Sequence, residues 1–231
     1  KADTAGLASL ERYIGASGLA SGSLTGGNIN IVLGDRNLAK RFSSEKDFVR
    51  EAAYCLEVTP KSIEIKAITP KGAFYAIQSL RQMLYRGREL ETCVVTDWPV
   101  MRYRGLMLDI SRNFRDKEFI EKQIDAMALL KMDKLHLHLT DDAGWRIQID
   151  SKPRLTDVAA WRVGETWSQW VDFGKQYSQK DSPRASGGYL TKDDVREIVA
   201  YAADRQIDII PEFEIPGHSR EVLEAYPELA C

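Results

Sequence analysis

The chain has 231 residues, of which 44% are hydrophobic and 29% are charged, so it is long enough to bury a core in one large domain or two modest ones. Its formal charge of −2 gives no electrostatic reason to expect nucleic acid or a membrane surface as a partner. No apolar run reaches the about 18 residues of a membrane-spanning helix, and the first residues have no signal-peptide pattern.

The cysteines Cys55, Cys93 and Cys231 do not form a C-x-x-C motif, which excludes the usual signatures of a disulfide scaffold or a cysteine metal site. We expect buried or unpaired thiols and no cofactor, and the redox compartment stays open.

The first 98 residues predict a small α+β domain. Residues 15–27 are rich in Gly, Ser and Ala and are typical of a loop or connector. Residues 28–33, 54–58 and 62–68 alternate like half-buried strands, and the last two strands flank a tight turn at Thr59–Lys61. Thr69 and Pro70 predict the start of a helix with an apolar stripe of Phe74, Ile77, Leu80 and Leu84.

From residue 99 onward the pattern changes to strand, helix, strand. Strands are predicted at 104–110, 134–139 and 207–213, with helices starting at Asp116 and at a Thr191/Asp194 capping box. Polar residues follow each strand, and strand carboxyl ends meet at the ligand-binding edge of a parallel barrel or doubly wound sheet. Residues 141–190 predict a long, functional loop, whose tryptophans suit either sugar faces or a small core.

Four polar residues at these strand ends are site candidates. Arg112 offers a planar fork for vicinal hydroxyls or an acid, with an ion pair to Asp109 or Asp141 as the alternative. Asp141 and Asp142 are adjacent and should point in different directions, so that one faces a ligand while the other braces the loop. A Pro-Gly turn at 216–217 should present His218 to the cleft.

His136 and His138 share one face of their strand, which is compatible with metal ligands. A zinc site needs three or four convergent ligands, however, and the chain has only three histidines. We therefore expect packed, hydrogen-bonded histidines and no metal.

Three segments resemble the family 20 glycoside hydrolases, the β-N-acetylhexosaminidases: RGLMLDISR at 104–112, HLHLTDDAGWR at 136–146 and IPEFEIPGH at 210–218. Two more are similar to the same family, namely AYPELAC at 225–231 and, in its preceding α+β domain, KGAFYAIQSLR at 71–81. The resemblance covers roughly residues 54–231.

The resemblance implies a (β/α)₈ TIM barrel behind a small α+β domain, with domains at 1–98 and 99–231 and only about the first three barrel strands present. It implies removal of terminal N-acetylglucosamine or N-acetylgalactosamine from a carbohydrate substrate with retention. Arg112 would bind ring hydroxyls, and Asp141 and His218 would support the substrate and the acid/base. Glu214 would also bind substrate, although family members often have Asp there.

In this family the acetamido oxygen of the substrate is the nucleophile, an exception to the two-carboxylate rule. The Asp-Glu pair that orients it and supplies the acid is expected beyond residue 231, so this chain is predicted to be an inactive fragment. Family habit implies an exported, periplasmic or secreted enzyme. The alternatives are a metal-dependent TIM-barrel hydrolase, suggested by His136 and His138, and a carbohydrate-binding module without catalysis.

Overall fold

The computed structural model describes residues 4–16, 28–85 and 89–230. They pack as two compact units. The first comprises the described residues up to Arg104 with Asp125–Asp133 and Ala203–Ile207, and the second comprises Gly105–Ile124, Lys134–Ala202 and the described residues from Asp208 onward.

The secondary structure is of the α/β class. The helices are α1 (Thr4–Ala16), α2 (Arg36–Arg41), α3 (Asp47–Ala52), α4 (Pro70–Tyr85), α5 (Lys117–Leu129), α6 (Arg154–Asp157), α7 (Trp167–Asp172), α8 (Lys192–Ala203) and α9 (Arg220–Ala225). The strands are β1 (Asn28–Leu33), β2 (Tyr54–Val58), β3 (Ser62–Ala67), β4 (Cys93–Asp97), β5 (Gly105–Asp109), β6 (Lys134–His138), β7 (Thr140–Asp141), β8 (Gly144–Trp145), β9 (Trp161–Val163), β10 (Ala185–Gly187) and β11 (Asp208–Glu212).

The first unit contains a four-stranded sheet in the order β1-β3-β2-β4, with β1 parallel to β3 and the other pairs antiparallel. Every second residue of β2 and β3 is buried, as the alternation in the sequence predicts. The backbone N–H of Thr59 donates to the carbonyl of Ser62 (2.9 Å), which closes the predicted turn.

Helix α4 packs on β2 and β3 and begins at Pro70 as predicted. Its predicted stripe is buried at Phe74, Ile77 and Leu80. The hydroxyl of Thr69 accepts a hydrogen bond from the backbone N–H of Lys71 (3.2 Å), so Thr69 caps the helix.

Helix α1 was not predicted from the sequence. Residues 15 and 16 were predicted to lie in a loop but belong to this helix, and the rest of that predicted loop, 17–27, lies outside the described residues. The helix packs on α4, where the Tyr13 ring meets the Phe74 ring edge-on at 4.7 Å. This contact explains why a segment rich in small residues is helical, because packing rather than propensity supplies most helical stability in proteins.

The second unit contains three parallel strands in the order β11-β6-β5. This arrangement confirms the three predicted strands and places their carboxyl ends at one edge. The helices between them also start where predicted: Asp116 accepts from the backbone N–H of Phe119 (2.9 Å), and Thr191 and Asp194 bond each other's backbone N–H groups (2.8 and 3.1 Å).

The segment between Asp141 and Leu190 is not an open loop. It contains β8, α6, β9, α7 and β10, and its helix α7 starts at a reciprocal capping box of Thr166 and Gln169. Part of it belongs to a core of buried residues, which are Trp145, Leu155, Ala159, Ala225 and Tyr226. For Trp145 this favours the small-core interpretation over a sugar platform.

Cys55 and Cys93 are free and half-buried, as expected. Within residues 4–16, 28–85 and 89–230, no helix combines the length and the apolar character needed to cross a membrane.

Gly72 in α4 marks a close approach of two backbones. A Cβ atom there would lie 2.4 Å from the Ala53 carbonyl oxygen and 3.2 Å from the Ala67 Cβ. We expect Gly72→Ala to destabilise the chain by about 1 to 3 kcal/mol in urea unfolding, since overpacking forces backbone shifts. The matched control is Gly15→Ala in α1, where a Cβ meets nothing within 4 Å.

That control should be neutral or stabilising by roughly 0.5 to 1 kcal/mol, because glycine in a helix is less favourable than alanine. Equal effects of the two substitutions would show that the backbone approach at Gly72 is not a constraint.

Candidate functional site

A buried carboxylate, Asp141, lies at the edge where the parallel strands end. Its side chain is only 1% exposed. Oδ2 accepts hydrogen bonds from the Arg112 guanidinium (2.5 Å) and from Nε2 of His138 (3.2 Å), and Oδ1 lies 3.4 Å from Nδ1 of His218. The structure therefore brings three of the predicted site residues, Arg112, Asp141 and His218, into one cluster.

Arg112 follows β5 and is held by two carboxylates. Its Nη1 contacts Asp109, and Asp109 Oδ1 also accepts the backbone N–H groups of Ser111 and Arg112 (both 3.0 Å). Both of the ion pairs considered from the sequence are thus present. Burial lowers the pKa of Arg112, but the bond and charge of Asp109 and the charge of Asp141 outweigh it, so the pKa lies above its ordinary value.

One third of the Arg112 side chain remains exposed, and its guanidinium lies 5.7 Å from the centre of the Trp167 ring. Trp167 in turn meets the buried Trp170 at 5.2 Å, and Trp170 meets Tyr177 at 5.7 Å. These three rings support one side of the Arg112 guanidinium. The exposed part of the Arg112 side chain is accessible to a ligand.

His218 follows β11 in an unusual backbone conformation. The Ile215–Pro216 peptide is cis, and His218 itself has a φ of 48°, in the left-handed region that residues other than glycine rarely adopt. Its side chain is 55% exposed. A φ in this region is strained for histidine, and such residues are concentrated at functional sites. The ring contacts Asp141 and is otherwise exposed, and its presentation to a substrate cleft stays a prediction.

The adjacent aspartates have different surroundings. Asp141 belongs to the cluster, but an Asp142 carboxylate oxygen also lies within 4.8 Å of ligand atoms of Asp141 and His218, so, contrary to expectation, the two side chains do not point to separate places. The Asp142 carbonyl accepts the Tyr177 hydroxyl, and its Oδ1 accepts the backbone N–H of Arg220 (3.3 Å). Burial is the main reason why the pKa of Tyr177 lies above its ordinary value, so this hydroxyl is a hydrogen-bond donor at neutral pH. Asp142 thereby braces the segment that follows.

Glu214 lies in a second cluster, with Glu212 and His138. Their possible ligand atoms are all within 4.8 Å of one another. Desolvation alone would raise the pKa of Glu212. Hydrogen bonds with Glu214 and His138 and the charges of His138 and His136 outweigh it, so the pKa of Glu212 lies below its ordinary value. His138 belongs to both clusters, since its other ring nitrogen meets Asp141.

Arg146 organises the backbone beside these clusters, a role that was not predicted from the sequence. It is fully buried and donates to the carbonyls of Ser111, Ala143, Ala160 and Gly188. Burial, and then the charge of Arg162, lower its pKa to about 9. The sequence signal for Arg146 was its position as a charged residue directly after a buried strand. That position did not indicate that the side chain donates hydrogen bonds to backbone carbonyls.

Glu221, in α9, was also missed. It has no exposed surface, and neither of its carboxyl oxygens has a hydrogen-bond partner within the part of the chain that the structure describes. Burial, with the charges of Asp142 and Asp141, raises its pKa to about 8. The residue is therefore largely protonated at neutral pH, which sequence spacing alone does not reveal.

Comparison with known proteins gives matches over both halves of the chain. The family model "Glycosyl hydrolase family 20, domain 2" matches residues 2–98, and "Glycosyl hydrolase family 20, catalytic domain" matches residues 101–231.

The chain is 39% identical over 171 residues to a β-hexosaminidase of Vibrio vulnificus, covering 74% of this chain and 20% of that protein. It is 39% identical over 176 residues to the N,N'-diacetylchitobiase of Vibrio harveyi, covering 75% and 20%. These matches span about a fifth of the relatives' length.

Among solved structures, the chain resembles a GH20 exo-β-N-acetylglucosaminidase from Vibrio harveyi in complex with N-acetylglucosamine. The TM-score is 0.73 and the identity 30%, with coverage of 100% of this chain and 34% of that one.

The buried acid Glu221 predicts a pH-dependent stability. Its folded pKa of about 8 lies above the ordinary value of 4.5, so its stabilising contribution is complete below about pH 4.5 and is lost as pH rises towards 8. Glu221→Gln should abolish this loss and stabilise the chain at pH 8 by an amount on the order of a few kcal/mol. Urea unfolding from pH 4.5 to 8.5 measures it.

The matched control is Glu224→Gln, an exposed position in the same helix, which should keep the wild-type pH profile. A Glu221→Gln profile parallel to that of the wild type would show that the carboxyl group ionises normally in the folded chain.

Proposed function

Since the chain belongs to glycosyl hydrolase family 20, we propose that it forms the substrate-binding part of a β-N-acetylhexosaminidase. The substrates we propose are glycans that end in N-acetylglucosamine or N-acetylgalactosamine. A relative named N,N'-diacetylchitobiase and a solved relative in complex with N-acetylglucosamine support this substrate class.

We assign the three parallel strands β5, β6 and β11 to the first part of a (β/α)₈ barrel, which occupies residues 99–231 of this chain and follows an α+β domain at 1–98 in the sequence. Barrel enzymes place their catalytic and binding residues at the carboxyl ends of the strands. The position of Arg112, Asp141 and His218 after these strands supports this assignment.

The observation that carries the proposal is the partly exposed fork of Arg112, held by two carboxylates. Asp109 and Asp141 fix the guanidinium at the strand ends, while one third of the side chain stays accessible. A fixed planar fork suits two adjacent sugar hydroxyls, because it offers several donors in one plane. We propose that Arg112 binds the ring hydroxyls and that Asp141 holds it in place.

The proposed reaction is substrate-assisted and retaining. The acetamido oxygen of the sugar attacks the anomeric carbon while an acid protonates the departing oxygen, and water then opens the cyclic intermediate. His218 and Asp141 would support the acid, and Glu214 would contribute to substrate binding. The 231 residues contain no adjacent Asp-Glu pair, so we assign binding and support to this chain and expect no hydrolysis by it alone.

The alternative is a carbohydrate-binding module that binds the sugar without hydrolysing it. This alternative predicts the same contacts between Arg112 and the sugar as the hydrolase proposal. The two differ in the full-length enzyme, which should hydrolyse an aryl N-acetylglucosaminide only under the hydrolase proposal. Family membership disfavours the alternative of a metal-dependent hydrolase.

The experiment is Arg112→Ala in the full-length enzyme, assayed on a nitrophenyl N-acetylglucosaminide. Each charged hydrogen bond contributes about 1.5 to 3 kcal/mol, so kcat/KM should fall by roughly 10- to 150-fold per lost bond, with a higher KM and a lower kcat. The control is Arg115→Ala, an exposed arginine three residues later, which should leave kcat/KM unchanged. Wild-type kinetics from Arg112→Ala would refute the assignment.

A further inference from the structure

A buried arginine, Arg162, has one guanidinium nitrogen without a partner. Arg162 lies in the middle of β9, between β10 and the backbone of Tyr177, and it is 2% exposed. Its Nε donates to the carbonyl of Gly164 (3.3 Å) and its Nη2 to that of Glu165 (3.0 Å). Nη1 is buried and has no hydrogen-bond partner among the described residues. Because buried N–H groups are nearly always satisfied in native proteins, this nitrogen indicates a bound water or ion.

The positive charge of Arg162 distinguishes between these two. Both of its side-chain hydrogen bonds go to backbone carbonyls. Burial lowers the pKa of Arg162 below its ordinary value, and no acidic side chain within the described ranges offsets this. Charges that are buried in proteins are almost always paired with an opposite charge. A water molecule would satisfy Nη1 but leave the charge uncompensated, whereas an anion would do both.

A second buried guanidinium adds to the positive charge. Arg146 is fully buried, and the charge of Arg162 lowers its pKa. The carboxyl groups that act in the opposite direction on Arg146 are those of Asp109 and Glu221. Asp109 is already bound by Arg112, and Glu221, with a pKa of about 8, is largely protonated at neutral pH. The two buried cations therefore repel each other, and their charge is only partly neutralised by these side chains.

The burial of Nη1 limits the kind of anion that it can bind. This atom has almost no accessible surface, so a ligand in contact with it is enclosed by protein and has lost its hydration shell. Removing an ion from water costs several kcal/mol, and the cost rises with the charge of the ion. A small monovalent anion is therefore favoured over sulfate or phosphate.

We propose that the second unit binds one small monovalent anion, with chloride as the representative ion, at Nη1 of Arg162. The ion would neutralise the guanidinium that holds the carbonyls of Gly164 and Glu165 directly before α7. Trp167, the first residue of α7, lies beside the Arg112 guanidinium (5.7 Å). The ion would thus stabilise the segment that carries this ring. The proposal does not depend on hydrolysis, because it concerns anion binding and stability.

The test is thermal unfolding of the 231-residue chain, dialysed free of chloride, in mixtures of sodium chloride and sodium gluconate at constant ionic strength. Because a ligand that binds the folded state stabilises it, Tm should rise saturably with chloride, by roughly 3 to 6 °C at about ten times Kd. Bromide should reproduce the rise, and gluconate, which is too large for an enclosed site, is the reference anion. A Tm that does not depend on chloride at constant ionic strength would overturn the proposal.

Arg162→Gln removes the buried charge and should abolish the dependence of Tm on chloride. The matched control is Arg184→Gln, at an exposed arginine directly before β10, which should keep the wild-type rise. A full chloride-dependent rise in Arg162→Gln would place the ion elsewhere and contradict the assignment. Loss of the rise in Arg184→Gln alone would contradict it as well.

A direct measurement on the wild-type chain decides the case if Arg162→Gln does not fold. In a crystal soaked with sodium bromide, the anomalous signal should place one bromide ion in contact with Nη1 of Arg162. A water molecule at that position, or bromide at exposed side chains only, would overturn the proposal.

Discussion

The candidate site depends on the burial of one charge, the Asp141 carboxylate. An unpaired buried carboxylate costs several kcal/mol, so its partners must be in place for the strand end to form as it does. Arg112 supplies the positive charge, and His138 a hydrogen bond, on the same oxygen. Arg112 follows β5, His138 ends β6, and Asp141 comes shortly after β6. The geometry of the site therefore depends on the pairing of β5 with β6.

The parallel sheet brings Arg112 to Asp141, which is 29 residues away in sequence, whereas His138 and Asp141 are only three residues apart. In the register of β5 and β6, Asp109 lies opposite His138, so the residues that follow each strand emerge side by side. Arg146 then fixes the connecting backbone by donating to four carbonyls, among them that of Ser111, the residue before Arg112. All the side-chain hydrogen bonds that the structure describes for this buried guanidinium go to backbone carbonyls, so Arg146 holds the turns that carry the site in place.

Strands, helix starts and the cluster of Arg112, Asp141 and His218 could be predicted because they depend on local periodicity, capping residues and the common edge of parallel strands. Helix α1 could not, because the contact of Tyr13 with Phe74 that stabilises it joins distant residues. The isolation of Glu221 and the grouping of Glu214 with His138 likewise depend on tertiary packing. For Trp145 the sequence left a sugar platform and a core equally open, and burial decides for the core.

The most direct test of this account is a double-mutant cycle on Arg112→Gln and Asp141→Asn, measured by urea unfolding of the 231-residue chain at neutral pH. Residues in direct contact show coupling of about 0.5 to 3 kcal/mol, and a pair in which one partner is buried should lie in the upper half of that range. A parallel cycle on the ion pair of Glu64 and Lys66, each about one third exposed, should give less than about 1 kcal/mol. Additive effects of the Arg112 and Asp141 substitutions, to within about 0.5 kcal/mol, would contradict the claim that their pairing holds the site together.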